Sequence, residues 1–223
     1  MSRGLPGEVA LVLVADAPTV GAARLVAQVA AILEAVPPGS VLVIERDGPA
    51  SAPASDDAER FARLRALREL TAACGAALVV SARVDLALGA GADGVQLPEG
   101  GLDAATVRRH FPGLRVGRSC HDAGGLTRAA LAGADWATLA PVWAPLSKTG
   151  EAPPLELAGF EALARGAALP VVALGGVRAE RCAALRRAGA GAVASVGGVF
   201  DAPSPAAAAR AMIDAWRGAG PAP

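Results

Sequence analysis

Short runs of valine, leucine and alanine recur eight times along this chain, and a stretch with amphipathic helical spacing follows each one. The runs cover residues 9–14, 41–44, 78–80, 94–97, 114–116, 136–139, 171–174 and 192–196. Runs this short and this apolar suit parallel strands buried on both faces. After the first, Thr19 is placed to cap a helix in which Leu25, Val29, Ile32, Leu33 and Val36 share one face. Residues 57–74 follow the second, with Phe61, Leu64 and Leu67 inward, and a short helix over 83–88 follows the third. Asp103 and Asp122 open the next two helices, residues 156–164 form another after a long loop, and Ser204-Pro205 starts a last helix carrying Met212, Ile213 and Trp216.

Eight strand–helix units is the count of a closed (β/α)8 TIM barrel, so a single domain over residues 1–223 is expected, frayed at 1–7 and 218–223. An open, doubly wound sheet alternates in the same way and is the alternative. The segments Ala90-Gly91-Ala92-Asp93, Ala132-Gly133-Ala134-Asp135 and Ala188-Gly189-Ala190-Gly191 form a weak internal repeat at helix-to-strand turns. Glycine there can end each helix in the left-handed conformation. Hydrophobic residues make up 53% against 19% charged, which gives a large core, and with only 3% aromatic residues it is alanine and valine that fill it.

Charge excludes some partners. Lys+Arg and Asp+Glu both number 21, so nothing favours nucleic acid or an anionic membrane surface. No apolar run is long enough to span a bilayer, and the first residues lack the layout of a signal peptide. Cys74, Cys120 and Cys182 are odd in number and widely spaced, without a metal-ligand pattern. A reduced, cytoplasmic protein is expected, and barrels of this size often form homodimers.

In a barrel of this kind the chemistry gathers where strands end. His121 closes the polar turn Arg118-Ser119-Cys120-His121 just past the fifth strand, and histidine suits proton transfer near neutral pH. Its structural alternative is a half-buried side chain bonded to a backbone carbonyl. His110, at a helix end, reads as a surface or capping residue. Cys120 beside His121 points to the opposite side of an extended segment, so a buried structural thiol is expected rather than a reactive pair. Gly175-Gly176 follows strand seven and Gly197-Gly198 follows strand eight. Two adjacent glycine turns allow backbone N–H groups to approach a phosphate, although glycines also simply turn a chain. Arg46, between Glu45 and Asp47, either pairs with one of those neighbours or reaches an anionic substrate. Lys148, with Ser147, lies in the longest loop, where it closes over a ligand or stays a solvated lysine. Residues 48–55 read as a flexible loop at the same rim.

These features together resemble the thiamine phosphate synthase family, from residue 41 to residue 200. The specific segments are Ala82-Arg83-Val84-Asp85-Leu86-Ala87, Gly91-Ala92-Asp93-Gly94-Val95, Gly117-Arg118-Ser119-Cys120-His121, Val172-Ala173-Leu174-Gly175-Gly176 and the turn over 197–200. Within the family, Val95-Gln96-Leu97-Pro98 followed by Gly117-Arg118-Ser119 is most similar to the thiazole tautomerase branch, which isomerises a thiazole carboxylate phosphate. A tautomerase needs a phosphate grip and one group to move a proton, and His121, by its position, is the expected acid–base group. The resemblance implies Arg46, Ser119, Ser147 and Lys148 toward the substrate, and Gly175, Gly176, Gly197 and Gly198 around its phosphate.

Departures from the synthase pattern decide between the branches. A synthase displaces pyrophosphate with the help of Mg²⁺ held by carboxylates. Where its pattern has Asn-Asp at the end of strand three, this chain has Ser81-Ala82, and Gly101 replaces its second aspartate. Arg46 is kept, but Gly48 replaces a lysine, and Pro145-Leu146-Ser147-Lys148 keeps half of the Thr-x-Thr-Lys loop. The expectation is therefore an enzyme of thiamine biosynthesis acting as a metal-independent thiazole tautomerase, with no cofactor and a small thiazole phosphate as its partner. Two alternatives stand beside it. One is a thiamine phosphate synthase finding Mg²⁺ ligands elsewhere, for example Asp47, Glu99 or Asp103, and the other a non-catalytic sensor of a thiazole or thiamine phosphate.

Overall fold

In the computed structural model, which describes residues 4–6, 8–48, 55–144 and 153–218, the eight expected strands close into one parallel barrel. The strands are β1 (Leu11–Asp16), β2 (Val41–Arg46), β3 (Ala77–Ser81), β4 (Gly94–Leu97), β5 (Arg115–Cys120), β6 (Trp136–Leu139), β7 (Val171–Ala173) and β8 (Ala192–Ser195). Each pairs with its neighbour in sequence, and β1 pairs with β8 through Leu11↔Val193, so the open-sheet alternative is excluded. The helices are α1 (Ala17–Val20), α2 (Ala22–Ala35), α3 (Asp57–Ala73), α4 (Val84–Gly89), α5 (Ala104–His110), α6 (Ala123–Leu131), α7 (Glu156–Arg165), α8 (Ala179–Arg187), α9 (Gly197–Phe200) and α10 (Pro205–Gly218). No helix among the described residues is long and apolar enough to cross a membrane.

Alternation along the strands divides the core in two. Val12, Val14, Leu42, Ile44, Val79, Trp136, Val172, Ala192 and Ala194 pack together inside the barrel. Leu11, Leu13, Val43, Leu78, Val80, Val116 and Leu139 face outward into the layer shared with the helices, where Leu25, Ile32, Leu64, Phe160 and Ile213 meet them. Apart from β5, with its half-buried Arg115, Arg118 and Ser119, both faces of the strands are largely dry, which is why they read as continuous apolar runs.

The Ala-Gly-Ala repeats turn the chain as expected: Gly91, Gly133 and Gly189 all take positive φ, at 65°, 79° and 92°. The aspartates in two of them have a second task. Asp93 accepts the Leu78 N–H at 2.8 Å, and Asp135 accepts the Val116 N–H at 2.7 Å, so each satisfies a donor at the start of a strand. Asp56 and Asp122 cap α3 and α6 through the N–H groups of Glu59 and Gly125.

Three expectations change. Thr19 does not cap α2; it lies inside α1, and Gly21 occupies the cap position. Strand five does not stop at Val116 but runs on to Cys120, which carries Gly117-Arg118-Ser119 to the carboxyl rim of the barrel. On α3, Arg60 and Arg63 are buried along with Leu64 and Leu67, whereas Phe61 is only half-buried. Of the expected frayed ends, residues 1–3, 7 and 219–223 lie outside the described residues, and Gly218 closes α10.

Candidate active site at the barrel mouth

The inward face of β1 and β2 ends in two charged side chains. Arg46 Nε donates to Asp16 Oδ1 at 2.6 Å, and the Thr19 hydroxyl donates to Asp16 Oδ2 at 2.5 Å. Asp16 is 1% exposed, while a third of the Arg46 side chain stays open at the mouth. The expected partners of Arg46 turn out to be elsewhere. Glu45 and Asp47 alternate to the opposite face and enter the layer beneath α3. There Glu45 accepts from both Arg60 and Arg63, Asp47 accepts from Arg63, and Ser55 donates both its N–H and its hydroxyl to Asp47. Arg46 thus pairs with Asp16 rather than with either neighbour, and among the described residues its Nη atoms donate to no protein acceptor.

A polar chain lies below this rim, inside the barrel. The Trp136 indole donates to Gln96 Oε1 at 3.1 Å, and Gln96 Nε2 reaches Ser119 Oγ at 3.2 Å and Thr138 Oγ1 at 3.4 Å. Trp136 is fully buried, and Gln96 and Thr138 nearly so. Gly117 makes the arrangement possible. A Cβ there would lie 2.1 Å from Gln96 Oε1 and 2.4 Å from the indole, so any larger residue would displace this bond.

His121 follows β5 directly. Its Nδ1 lies 2.6 Å from the Ala140 carbonyl. A carbonyl can only accept, so Nδ1 carries the proton and Nε2 is the nitrogen left to exchange one. Nε2 lies 3.7 Å from Glu99 Oε2, and Arg128 approaches the other Glu99 oxygen at 3.5 Å. The ring is about half exposed, so the backbone bond orients it without burying it.

The two glycine turns adjoin one another. Gly175 and Gly176 have φ of 107° and 61°, and a Cβ on either would come within 2.9 Å of Pro141 or Trp143. Gly198 is tighter still, with the Val177 carbonyl oxygen 2.2 Å from where its Cβ would be. The Ser195 hydroxyl donates to the same carbonyl at 3.2 Å. The β7 and β8 exits are therefore pressed together, and in α9 the Val199 and Phe200 N–H groups donate to the Val196 carbonyl, which leaves those of Gly197 and Gly198 as the helix's opening donors. These turns also connect to His121. Val142 N–H donates to Leu174 and Trp143 N–H to Gly175, so the loop whose Ala140 holds His121 also holds the Gly175 turn.

Ser147 and Lys148 lie outside the described residues, as do residues 49–54 of the expected flexible loop; Ser55 at its end is buried on Asp47. Cys120 packs outward beside α6, and burial pushes its thiol up to about 11. Cys182 is likewise pushed up by burial, to about 12. Native protein treated with iodoacetamide at pH 8 should therefore label Cys74, which is half-buried, and spare the other two. Labelling of Cys120 as fast as Cys74 would show that a thiolate sits beside His121 after all. His110 is exposed at the end of α5, as read from the sequence.

Among the described residues, no three His, Cys, Asp or Glu side chains gather as metal ligands would. Asp47 is committed to Arg63 and Ser55, and Glu99 lies between His121 and Arg128. Asp103 stands at the start of α5, in a crevice with Glu99, Arg118 and Arg128.

Sequence reasoning missed Asp16, Gln96, Trp136 and Thr138. One signal was available for Gln96: it is the lone polar residue of an otherwise apolar strand, at an inward-facing position. Partners 40 residues away, such as Trp136, leave no mark in local periodicity.

The chain is similar to proteins of one known family. A family described as thiamine monophosphate synthase matches residues 11–199. Over 163 residues the chain is 42% identical to a thiamine-phosphate synthase of Anaeromyxobacter dehalogenans, covering 72% of this chain and 73% of the relative. A putative thiamine-phosphate synthase of Geobacter sulfurreducens is 39% identical over 150 residues, covering 67% and 70%. Among solved structures, thiamine phosphate pyrophosphorylase from Pyrococcus furiosus superposes with a TM-score of 0.83 at 23% identity, covering 95% of this chain and 97% of that one. A 3-hexulose-6-phosphate synthase shares the fold at a TM-score of 0.63 and 20% identity, covering 92% and 98%.

Proposed function

The chain belongs to the thiamine monophosphate synthase family, and from that premise we propose that it holds a phosphorylated thiazole at the barrel mouth and moves a proton on its ring without a metal. The observation that carries this reading is His121, oriented through Nδ1 by the Ala140 carbonyl, with Nε2 left to exchange a proton. Nε2 takes a proton from one ring position and returns it to another. The Glu99 carboxylate lies 3.7 Å from that nitrogen. The backbone N–H groups around Gly175, Gly176, Gly197 and Gly198 hold the phosphate, and Arg46 and Ser119 orient the ring. Ser147 and Lys148 complete the proposed substrate contacts.

The family's synthase reaction calls for Mg²⁺, and the side chains described here do not fit a magnesium diphosphate site. Ala82 and Gly101 offer no carboxylate at the two positions where the synthase pattern has one. Asp16 and Glu99 already face arginines. The second reading, a thiamine-phosphate synthase, is favoured by the names of the relatives at 39% and 42% identity.

One experiment separates the two. The protein is given a thiazole carboxylate phosphate tautomer in EDTA and, separately, thiazole phosphate with hydroxymethylpyrimidine diphosphate and Mg²⁺. Tautomer turnover in EDTA with no pyrophosphate released is the expected result. Mg²⁺-dependent pyrophosphate release with thiamine phosphate formation would overturn the proposal in favour of the synthase. Tight product binding with no turnover in either arm would make the protein a sensor.

A further inference from the structure

Gln96 is tied down on both ends of its amide, and that fixes the direction of every hydrogen bond on the barrel floor. The Trp136 indole can only donate, so the Gln96 atom facing it must be the carbonyl oxygen Oε1. Nε2 is therefore the atom facing Ser119 and Thr138, and an amide N–H₂ can only donate. Both hydroxyl oxygens accept from Gln96, so each keeps its own proton to give away. Among the described residues, neither hydroxyl donates to a protein acceptor.

We propose that Gln96 is a positioning residue that makes Ser119 and Thr138 a pair of hydroxyl donors, and that this pair selects ligands carrying a carboxylate on the ring. Three features support it. The chain of polar groups is buried inside the barrel, where only a satisfied network is tolerated. Gly117 leaves room for the Gln96–Trp136 bond that orients the amide. The chain ends at Ser119, which is half-buried at the open end of the barrel. Two hydroxyls held by one amide, on the neighbouring strands β5 and β6, suit the two oxygens of a carboxylate, and such charge-assisted bonds are the strong ones. The inference rests on the proposed thiazole site and adds to it the ring substituent that the floor recognises.

The test reverses the hydrogen bonds. Gln96→Glu places a carboxylate where Nε2 was, so Ser119 and Thr138 donate inward and present lone pairs to the mouth. Gln96→Met removes the polarity altogether. Calorimetry at pH 8 compares thiazole carboxylate phosphate with the same thiazole phosphate lacking the carboxylate. Wild type should prefer the carboxylate form by about tenfold or more. Gln96→Met should lose that preference, and Gln96→Glu should invert it, with both variants melting as cooperatively as wild type. A general loosening of the barrel would weaken both ligands alike and could not produce an inversion.

If wild type binds neither thiazole, the thiazole reading fails, and floor polarity is then read with 2-phosphoglycolate against phosphoethanolamine. A wild-type preference for phosphoglycolate that reverses in Gln96→Glu sustains the inference. Equal preferences in wild type and Gln96→Glu, or no binding of either probe, overturn it.

Discussion

His121→Ala should lower turnover of the thiazole carboxylate phosphate by roughly a hundred- to ten-thousand-fold, the usual contribution of one general acid–base group. Affinity for the product should stay within a few-fold, because the glycine turns proposed to hold its phosphate, and Arg46, lie on other strands. Steady-state turnover measured beside product calorimetry reads both quantities. The ring is about half exposed and held by one backbone bond, so its removal leaves no cavity in the core and should barely move the melting temperature. Added imidazole should restore part of the rate, since the space left at the mouth is open to solvent. Turnover unchanged in the variant would remove His121 from the mechanism, and loss of binding together with rate would make it a substrate anchor instead.

The second large effect is on stability. Glu45 has no exposed surface and faces two guanidinium groups, those of Arg60 and Arg63. Glu45→Ala leaves Arg63 on Asp47 and leaves the buried Arg60 with the Ser81 carbonyl in place of a carboxylate. Removing one partner from a buried ionic cluster costs about 3–5 kcal/mol. For a chain of this size that is a fall in melting temperature on the order of 10 °C. The paired change Glu45→Leu with Arg60→Met removes one charge of each sign and leaves Arg63 on Asp47. It should recover most of the loss, although the Ser81 carbonyl also gives up its bond from Arg60. Thermal unfolding of the three proteins checks the pattern. A single variant that melts within 2 °C of wild type would show that the cluster contributes little.

The barrel was readable because its strands are dry on both sides and its helices are wet on one. Those two conditions print continuous runs and 3.6-residue stripes that can be counted without knowing any contact. The glycine turns and His121 were readable for a similar reason: they are punctuation at strand ends. What failed was the polar part of a strand. Gly117-Arg118-Ser119 looks like a turn, yet it continues β5, since Arg118 finds the Leu102 and Glu99 carbonyls outside the barrel while Ser119 finds Gln96 within. Arg60 and Arg63 failed in the same way. A helical stripe marks arginine as solvated, and only a carboxylate brought from β2 reverses that. The partner of Arg46 could not be chosen from sequence either, because Asp16, which takes it, is 30 residues away.

The Asp47–Ser55 pair has a consequence for how this protein can change. The connection from β2 to α3 leaves and rejoins the scaffold at one carboxylate, which accepts both the N–H and the hydroxyl of Ser55. Length inserted between those two anchor points is paid as loop entropy alone, about 0.6 kcal/mol for each doubling. The barrel below need not register it. The two anchor points are thus fixed to each other whatever the length of chain that joins them. Arg46, one position before the clasp on the inner face, stays where Asp16 holds it.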